Sequence, residues 1–142
     1  MIKIKILYGS SCVGKSHIMN TISNNDNSLF KIEMDDCEYW KYSEDERTNI
    51  CINYFIKRIK DNKKQKIIAT CGHLPLPDNK IYKKIEREFN LKIEHTLVLN
   101  KSIEDYKNKI IKRQRELIMN QLINDYLWRE SVKHKYDNII LN

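Results

Sequence analysis

Short apolar runs alternate with longer amphipathic stretches along the whole chain. The apolar runs have the length and the β-branched content of buried strands, and they cover residues 2–8, 29–34, 66–71, 91–99 and 138–141. The stretches between them carry apolar residues at helical spacing and predict helices over residues 15–23, from Ser43, from Asp78, and from Ser102 to about Val132. Such alternation predicts an α/β fold, a five-stranded parallel sheet with helices on both faces, whose ligands bind at the carboxyl ends of the strands.

A glycine-rich motif, G-x-x-x-x-G-K-S, joins the first predicted strand to the first predicted helix. Its glycines let the chain turn tightly, so that successive backbone N–H groups point inward around a polyphosphate. Lys15 is expected to reach the β- and γ-phosphates of a nucleoside triphosphate, and the Ser16 hydroxyl is expected to bind Mg²⁺. The motif therefore predicts a P-loop that binds ATP through all of its residues: Gly9, Ser10, Ser11, Cys12, Val13, Gly14, Lys15 and Ser16.

Length and cysteine content narrow the class of protein. A chain of 142 residues predicts one domain, residues 1–142. No apolar stretch approaches the length of a membrane span or resembles a signal peptide, so we expect a soluble, cytoplasmic protein without a membrane partner. The four cysteines are widely spaced and form no C-x-x-C pair, which favours reduced thiols over a zinc site or a disulfide framework. The sequence does not determine the oligomeric state.

The formal net charge of +7 at pH 7 raises nucleic acid as a possible partner. Most of the basic residues are lysines spread along the chain, however, and isoleucine and asparagine are abundant too. An AT-rich coding sequence produces the same composition without selection for binding. We therefore expect solvated lysine faces, and the charge shifts the interpretation only slightly towards nucleic acid.

Two large classes of P-loop protein fit the sequence poorly. A GTPase needs a D-x-x-G motif, but the one glycine outside the P-loop, Gly72, follows Ala69-Thr70-Cys71. The N-K-x-D motif that grips guanine has only a decoy at residues 100–103, which lacks the aspartate. An ATPase motor normally carries additional segments for which this chain has no length. The remaining class is the small kinases.

Three further segments resemble the small P-loop kinases of nucleosides, nucleotides, shikimate, gluconate and polynucleotide ends: Asp35-Asp36 after the second strand, residues 70–75, and the basic cluster Lys109, Lys112, Arg113 and Arg115. The resemblance implies that Asp35 activates or orients the acceptor hydroxyl, with Asp36 as a further substrate contact. It also implies a lid in which Arg113 closes over the transferring phosphate and Arg115 contacts the nucleotide. The alternatives are that the two aspartates cap the next helix and that the basic cluster is a solvated helix face.

Among these kinases, the polynucleotide 5′-hydroxyl kinases look most similar. Met34-Asp35-Asp36 matches the place of their acceptor-activating aspartate, and residues 89–95 followed by a helix to Arg113 look like their approach to the lid. One position departs from the pattern, since Glu38 stands near the place where those enzymes carry an arginine against the acceptor phosphate.

Candidate acceptor contacts lie between the second and third strands. Tyr39 could stack on a base or sugar, Arg47 could pair with a phosphate or carboxylate, and His73 opens the loop after the third strand. The alternative is an aromatic cluster that packs a helix on the sheet. Later in the chain, we expect Trp128 to pack within a helix and Arg129 to lie on the surface.

The sequence predicts a kinase that uses ATP and Mg²⁺ on a nucleoside, nucleotide or polynucleotide 5′ end, or on a small metabolite such as gluconate or shikimate. A non-catalytic ATP-binding regulator is the other alternative.

Overall fold

The structure, a computed structural model, describes residues 1–142. It is built around a five-stranded sheet. All strand pairs are parallel, and the strand order is β2-β3-β1-β4-β5. The strands are β1 (Ile2–Tyr8), β2 (Leu29–Ile32), β3 (Lys66–Thr70), β4 (Leu91–Leu99) and β5 (Asn138–Leu141). The predicted five-stranded parallel α/β fold is confirmed.

Five helices connect the strands: α1 (Lys15–Asn24), α2 (Glu44–Asp61), α3 (Lys80–Phe89), α4 (Ile103–Lys112) and α5 (Met119–Ser131). Two neighbouring residues of β2 show which faces they cover. Lys31 Nζ lies 3.4 Å from Asn20 Oδ1 of α1, whereas the Phe30 ring packs under the Arg58 guanidinium of α2, 4.7 Å from the ring centroid. Because successive residues of a strand point to opposite faces, α1 and α2 lie on opposite sides of the sheet.

The core forms where the inner strands meet these helices. Ile4, Ile6, Ile67 and Ala69 of the two central strands are almost fully buried, together with Phe55 of α2. Charged residues alternate with apolar ones only in the first half of β1, and its second half is buried on both faces. The carboxyl-terminal half of β1 is therefore the half that the helices cover on both faces. Ligands bind at this end of the strands in open α/β sheets.

Strand β2 is shorter than the sequence indicates. It ends at Ile32, and residues Met34–Cys37 form a 3-10 turn that carries Asp35 and Asp36. The Met34 N–H donates to Thr70 Oγ1 at 3.0 Å, which draws the chain out of the strand's direction. Asp35 and Asp36 therefore lie on this turn and not directly after the strand, where the sequence pattern placed them.

The helix predicted from Ser102 to about Val132 is divided into two. After α4 the chain adopts a left-handed conformation at Gln114, with φ of 57°, and a 3-10 turn over Glu116–Ile118 leads into α5. The Gln114 N–H donates to Ile111 O and the Arg115 N–H to Ile110 O, which closes the end of α4. The sequence has no glycine or proline at this break, and its apolar residues keep their helical spacing across it. The pattern therefore predicted one continuous helix. The start of α3 also differs by one residue, because Asn79 and not Asp78 is the N-cap and accepts from the Ile81 N–H.

Candidate active site

The P-loop connects β1 to the amino-terminal end of α1. Gly14 has φ of 109°, a conformation that L side chains rarely adopt, so the second glycine of the motif is required by the backbone. Lys15 is the first residue of α1, and its Nζ donates to Gly9 O at 2.7 Å and to Ser10 O at 3.0 Å. Burial lowers the pKa of the Lys15 ammonium. A polyanion in the loop would supply the negative charge that this buried cation lacks.

A carboxylate that the sequence analysis did not single out lies beside the P-loop. Glu33 Oε2 accepts a hydrogen bond from Ser16 Oγ at 2.7 Å, and Glu33 Oε1 accepts one from Thr70 Oγ1 at 2.6 Å. Glu33 directly follows β2, so it occupies the strand-end position that the pattern gave to Asp35-Asp36. An acidic residue directly after an apolar strand could have indicated this role. The predicted strand ran to residue 34 and so included Glu33 within it.

A cavity of about 460 Å³ opens from the P-loop and is called the P-loop cavity below. It is bounded by the P-loop, the end of β2, the loop after β3 and the segments after β4. Of the residues predicted from sequence, these line it: Gly9, Ser11, Cys12, Gly14, Lys15, Ser16, Asp35, Tyr39, His73 and Arg113. The structure thus brings the P-loop, Asp35 and Arg113 together around one space.

The remaining predicted residues lie outside its walls. Asp36 and Arg115 are exposed. Arg47 is half-buried and donates to two backbone carbonyls, from Nε to Tyr42 O at 3.0 Å and from Nη2 to Trp40 O at 3.3 Å. Within the P-loop, Ser10 and Val13 are buried beneath the loop, so their side chains face the protein.

Asp35 and two rings form one wall of the P-loop cavity. The Tyr39 and His73 rings are tilted against each other with centroids 4.9 Å apart. Burial and then the nearby Asp35 carboxylate raise the pKa of the Tyr39 hydroxyl, so this group stays protonated and can donate. Burial and then the charges of Arg47 and Arg129 lower the pKa of His73, which keeps its imidazole neutral near pH 7.

Helix α5 supplies another part of the lining with Leu122, Asp125, Trp128 and Arg129. Asp125 Oδ2 accepts hydrogen bonds from Ser10 Oγ at 2.6 Å and from Arg129 Nε at 3.0 Å. The Arg129 side chain is only 15% exposed, so the expectation that it is a surface residue is wrong. The i, i+4 spacing of Asp125 and Arg129 was a usable signal, but the break after α4 decides which way α5 faces.

Oxygen donors suited to Mg²⁺ are gathered beside the P-loop. Mg²⁺ prefers hydroxyl, carboxylate and phosphate oxygens, and the Ser16 hydroxyl, the Glu33 carboxylate and Asp35 supply the first two kinds. No group of three or more histidine, cysteine, aspartate or glutamate side chains is arranged to hold a metal ion by itself. The donor set therefore fits a metal that arrives with a phosphate chain.

None of the helices has both the length and the apolar character needed to cross a bilayer. No protein-family model and no curated protein matches the sequence.

Solved structures resemble the fold over nearly the whole chain. A shikimate kinase from Bacteroides thetaiotaomicron matches with a TM-score of 0.68 at 13% identity, covering 99% of this chain and 86% of that one. A shikimate kinase from Acinetobacter baumannii, in complex with shikimate, matches with a TM-score of 0.61 at 12% identity, covering 100% and 84%. A fungal RNA kinase matches with a TM-score of 0.57 at 15% identity, covering 99% and 73%.

These similarities and the P-loop show that the chain has the fold of the small P-loop kinases. At identities of 10–16% they show the fold alone, and the proteins that share it include kinases of a small metabolite and of RNA.

Proposed function

We propose that this protein is a kinase that transfers the γ-phosphate of ATP to an acceptor hydroxyl or phosphate, most readily the hydroxyl of a nucleoside, a nucleotide or a polynucleotide 5′ end. One observation carries the proposal: Lys15 and Ser16 of the P-loop, Asp35, and the two arginines Arg113 and Arg129 line the same cavity. Phosphoryl transfer depends mainly on positioning and on neutralising phosphate charge, and this set of groups supplies both.

The P-loop side of the cavity would hold the donor. Its backbone N–H groups and the amino-terminal end of α1 favour the triphosphate, and Lys15 would exchange its carbonyl partners, Gly9 O and Ser10 O, for phosphate oxygens. Ser16 and Glu33 would hold Mg²⁺, which supplies charge neutralisation on the phosphate chain when it is bound. Arg113 follows the last residue of α4 and can reach the phosphates from above the P-loop.

Asp35 would serve the acceptor. A carboxylate next to the acceptor hydroxyl takes its proton as the oxygen attacks the γ-phosphorus, and the bond from that phosphorus to the ADP oxygen breaks. Asp35 lies in the cavity wall, whereas its neighbour Asp36 is outside. Hence Asp35 is the better candidate of the two for this role.

The lining of the acceptor side supports a substrate with a ring. Tyr39 and Trp128 bring aromatic surface, and the loop after β3 adds Leu74, Pro75 and Leu76. Aromatic and aliphatic side chains bind a nucleobase by stacking and by excluding water. Arg129 also lines the cavity, and its Nε donates to Asp125 Oδ2.

The test is release of ADP from ATP and Mg²⁺ across nucleosides, nucleoside monophosphates, 5′-hydroxyl DNA and RNA oligonucleotides, gluconate and shikimate. We expect a nucleoside-containing acceptor to stimulate ADP release. Asp35→Asn should reduce that rate by about 10²-fold or more while ATP binding persists. Asp36→Asn is the matched control, because it removes the adjacent exposed carboxylate and should leave the rate near the wild-type value.

Other outcomes would contradict parts of the proposal. Stimulation by gluconate or shikimate alone would replace the nucleobase-bearing acceptor with a small metabolite. ATP binding without acceptor-dependent ADP for any compound would favour a non-catalytic, ATP-binding regulator.

A further inference from the structure

A row of lysines crosses the sheet at the amino-terminal ends of its central strands. Lys3 of β1 is in register with Lys66 of β3 on one side and with Lys92 of β4 on the other. Residues in register on neighbouring strands project from the same face, and such strands lie about 4.8 Å apart. All three lysines are exposed, and the isoleucine after each of them is buried on the opposite face.

This arrangement carries uncompensated positive charge. Like charges directly opposite each other on neighbouring strands destabilise a sheet. Lys66 has a partner, Asp26, whose Oδ2 lies 3.4 Å from Nζ, but neither Lys3 nor Lys92 forms an ion pair. An anion bound over the row would relieve the repulsion between the three ammonium groups.

The row lies in a groove of about 800 Å³, called the lysine groove below. Lys80 and Lys83 of α3 line it as well, so positive charge continues from the sheet to a neighbouring helix. Seven lysines and four acidic residues line the groove, so it keeps an excess of positive charge. Three of the acidic residues pair with lysines: Asp78 with Lys135 at 3.0 Å, Glu86 with Lys83 at 3.5 Å and Glu94 with Lys5 at 3.5 Å. Glu86 and Asp137 are also engaged with backbone. Glu86 Oε2 accepts from the Ile93 N–H at 2.9 Å, and Asp137 Oδ2 accepts from the His95 N–H at 2.8 Å.

The lysine groove is separate from the P-loop cavity. Lys3 precedes Gly9 by six residues of largely extended chain, which spans about 20 Å at the usual rise of a strand. No residue lines both spaces. A ligand in the groove therefore would not compete with one at the P-loop.

We propose that the lysine groove binds the phosphodiester backbone of a nucleic acid. Each nucleotide contributes one permanent negative charge, and lysines on flexible stems bind phosphates as adaptable point charges. The only aromatic residue lining the groove besides His95 is Tyr82, which is 2% exposed and cannot serve as a stacking platform. Binding is thus directed at the backbone and does not read the base sequence.

The experiment is fluorescence anisotropy with a labelled 20-nucleotide single-stranded RNA of mixed sequence, measured without ATP at several salt concentrations. The groove variant replaces Lys3, Lys66 and Lys92 with glutamine. The control variant replaces Lys57, Lys60 and Lys84 with glutamine, so both variants lose the same net charge. These three lysines are exposed on α2 and α3, outside the groove.

We expect the groove variant to bind RNA at least about tenfold more weakly at low salt, and the slope of log K against log salt to fall by about 2. The control variant should keep most of the affinity. Labelled DNA of the same sequence should bind similarly, because the contacts are to phosphate.

Three results would overturn the proposal. The first is equal loss of affinity in both variants, which would mean a diffuse effect of net charge. The second is no binding by the wild-type protein at low salt. The third is displacement of RNA by poly-glutamate as effectively as by unlabelled RNA, which would indicate an acidic protein segment as the partner. Because the three substituted lysines lie outside the P-loop cavity and binding is measured without ATP, failure here leaves the proposed kinase activity untouched, and the reverse also holds.

Discussion

The Oγ atom of Ser10 in the P-loop donates a 2.6 Å hydrogen bond to Oδ2 of Asp125 on α5. The same carboxylate oxygen accepts from Arg129 Nε at 3.0 Å. One side chain therefore joins the P-loop to the cavity-lining arginine of α5. This contact links residues 115 positions apart in sequence.

Removing this carboxylate should disturb both walls of the cavity. We expect Asp125→Ala to lower kcat/KM by about tenfold or more, because it leaves the buried Arg129 guanidinium without its charged partner. Ser10→Ala removes only the hydrogen bond to the P-loop and should have a smaller effect. Steady-state kinetics with varied ATP and varied acceptor would check this. An Asp125→Ala enzyme with wild-type constants would show that the contact does not position either substrate.

Glu33 should control how the enzyme uses Mg²⁺. Glu33→Gln replaces a carboxylate that accepts from Ser16 and Thr70 with an amide that can accept through only one of its two terminal atoms. We expect the Mg²⁺ concentration for half-maximal rate to rise by about 10- to 100-fold. Titration of the rate with Mg²⁺ at fixed ATP measures it. The control is Glu38→Gln, since Glu38 pairs with Lys41 away from the cavity. Equal shifts in both variants would argue against a role for Glu33 at the metal.

Stability should fall in mild acid because of His95. Burial lowers the pKa of His95, and its Nδ1 forms a 2.7 Å hydrogen bond with Tyr8 Oη. The unfolded chain binds the proton near the ordinary value of about 6.5, at a pH where the folded chain does not. The stabilisation is therefore complete above that value and is lost as pH falls through it towards the lower folded value.

Denaturant unfolding at pH 7.5 and 5.5 would measure this loss. His73 has a lowered pKa as well and should contribute a similar, separable part. His95→Asn keeps an acceptor near Tyr8 and should reduce the difference between the two pH values, whereas His134→Asn changes an exposed histidine and should not. An unchanged difference in His95→Asn would assign the acid sensitivity to other groups.

Gln114 should be a site where glycine stabilises the fold. Its left-handed conformation, with φ of 57°, costs an L residue about 1 kcal/mol that glycine avoids. We expect Gln114→Gly to raise the free energy of unfolding by up to about 1 kcal/mol. Lys57→Gly, in the middle of α2, should instead lower it by roughly 0.5–1 kcal/mol. Chemical denaturation distinguishes the two, and destabilisation by both would mean that the Gln114 side chain itself holds the turn.

Local chemistry explains why parts of the fold were predictable from sequence. The P-loop is formed by consecutive residues, and its backbone adopts positive φ angles at the glycine positions, where glycine is favoured. Its motif therefore predicts its geometry directly. Strands β4 and β5 were predicted at their observed bounds, because their apolar runs are flanked by clear turn residues.

Contacts between distant segments explain what was missed. β2 ends early because Thr70, from a neighbouring strand, takes the Met34 N–H, and no local signal near residue 33 reports that partner. The break after α4 depends on a left-handed glutamine, a residue type that does not mark helix ends in sequence. Missing that break also hid the direction in which Asp125 and Arg129 face.

The sequence by itself determined the α/β class, the P-loop with Lys15 and Ser16, and the placing of an acidic residue near the end of β2, because each depends on local backbone geometry or on the spacing of apolar residues. Only the tertiary structure decided that Glu33 stands beside Ser16, that α5 lines the cavity next to the P-loop, and that three lysines align across the sheet. These depend on the register of strands and the packing of helices, which bring together residues whose separation in sequence carries no information about their contact.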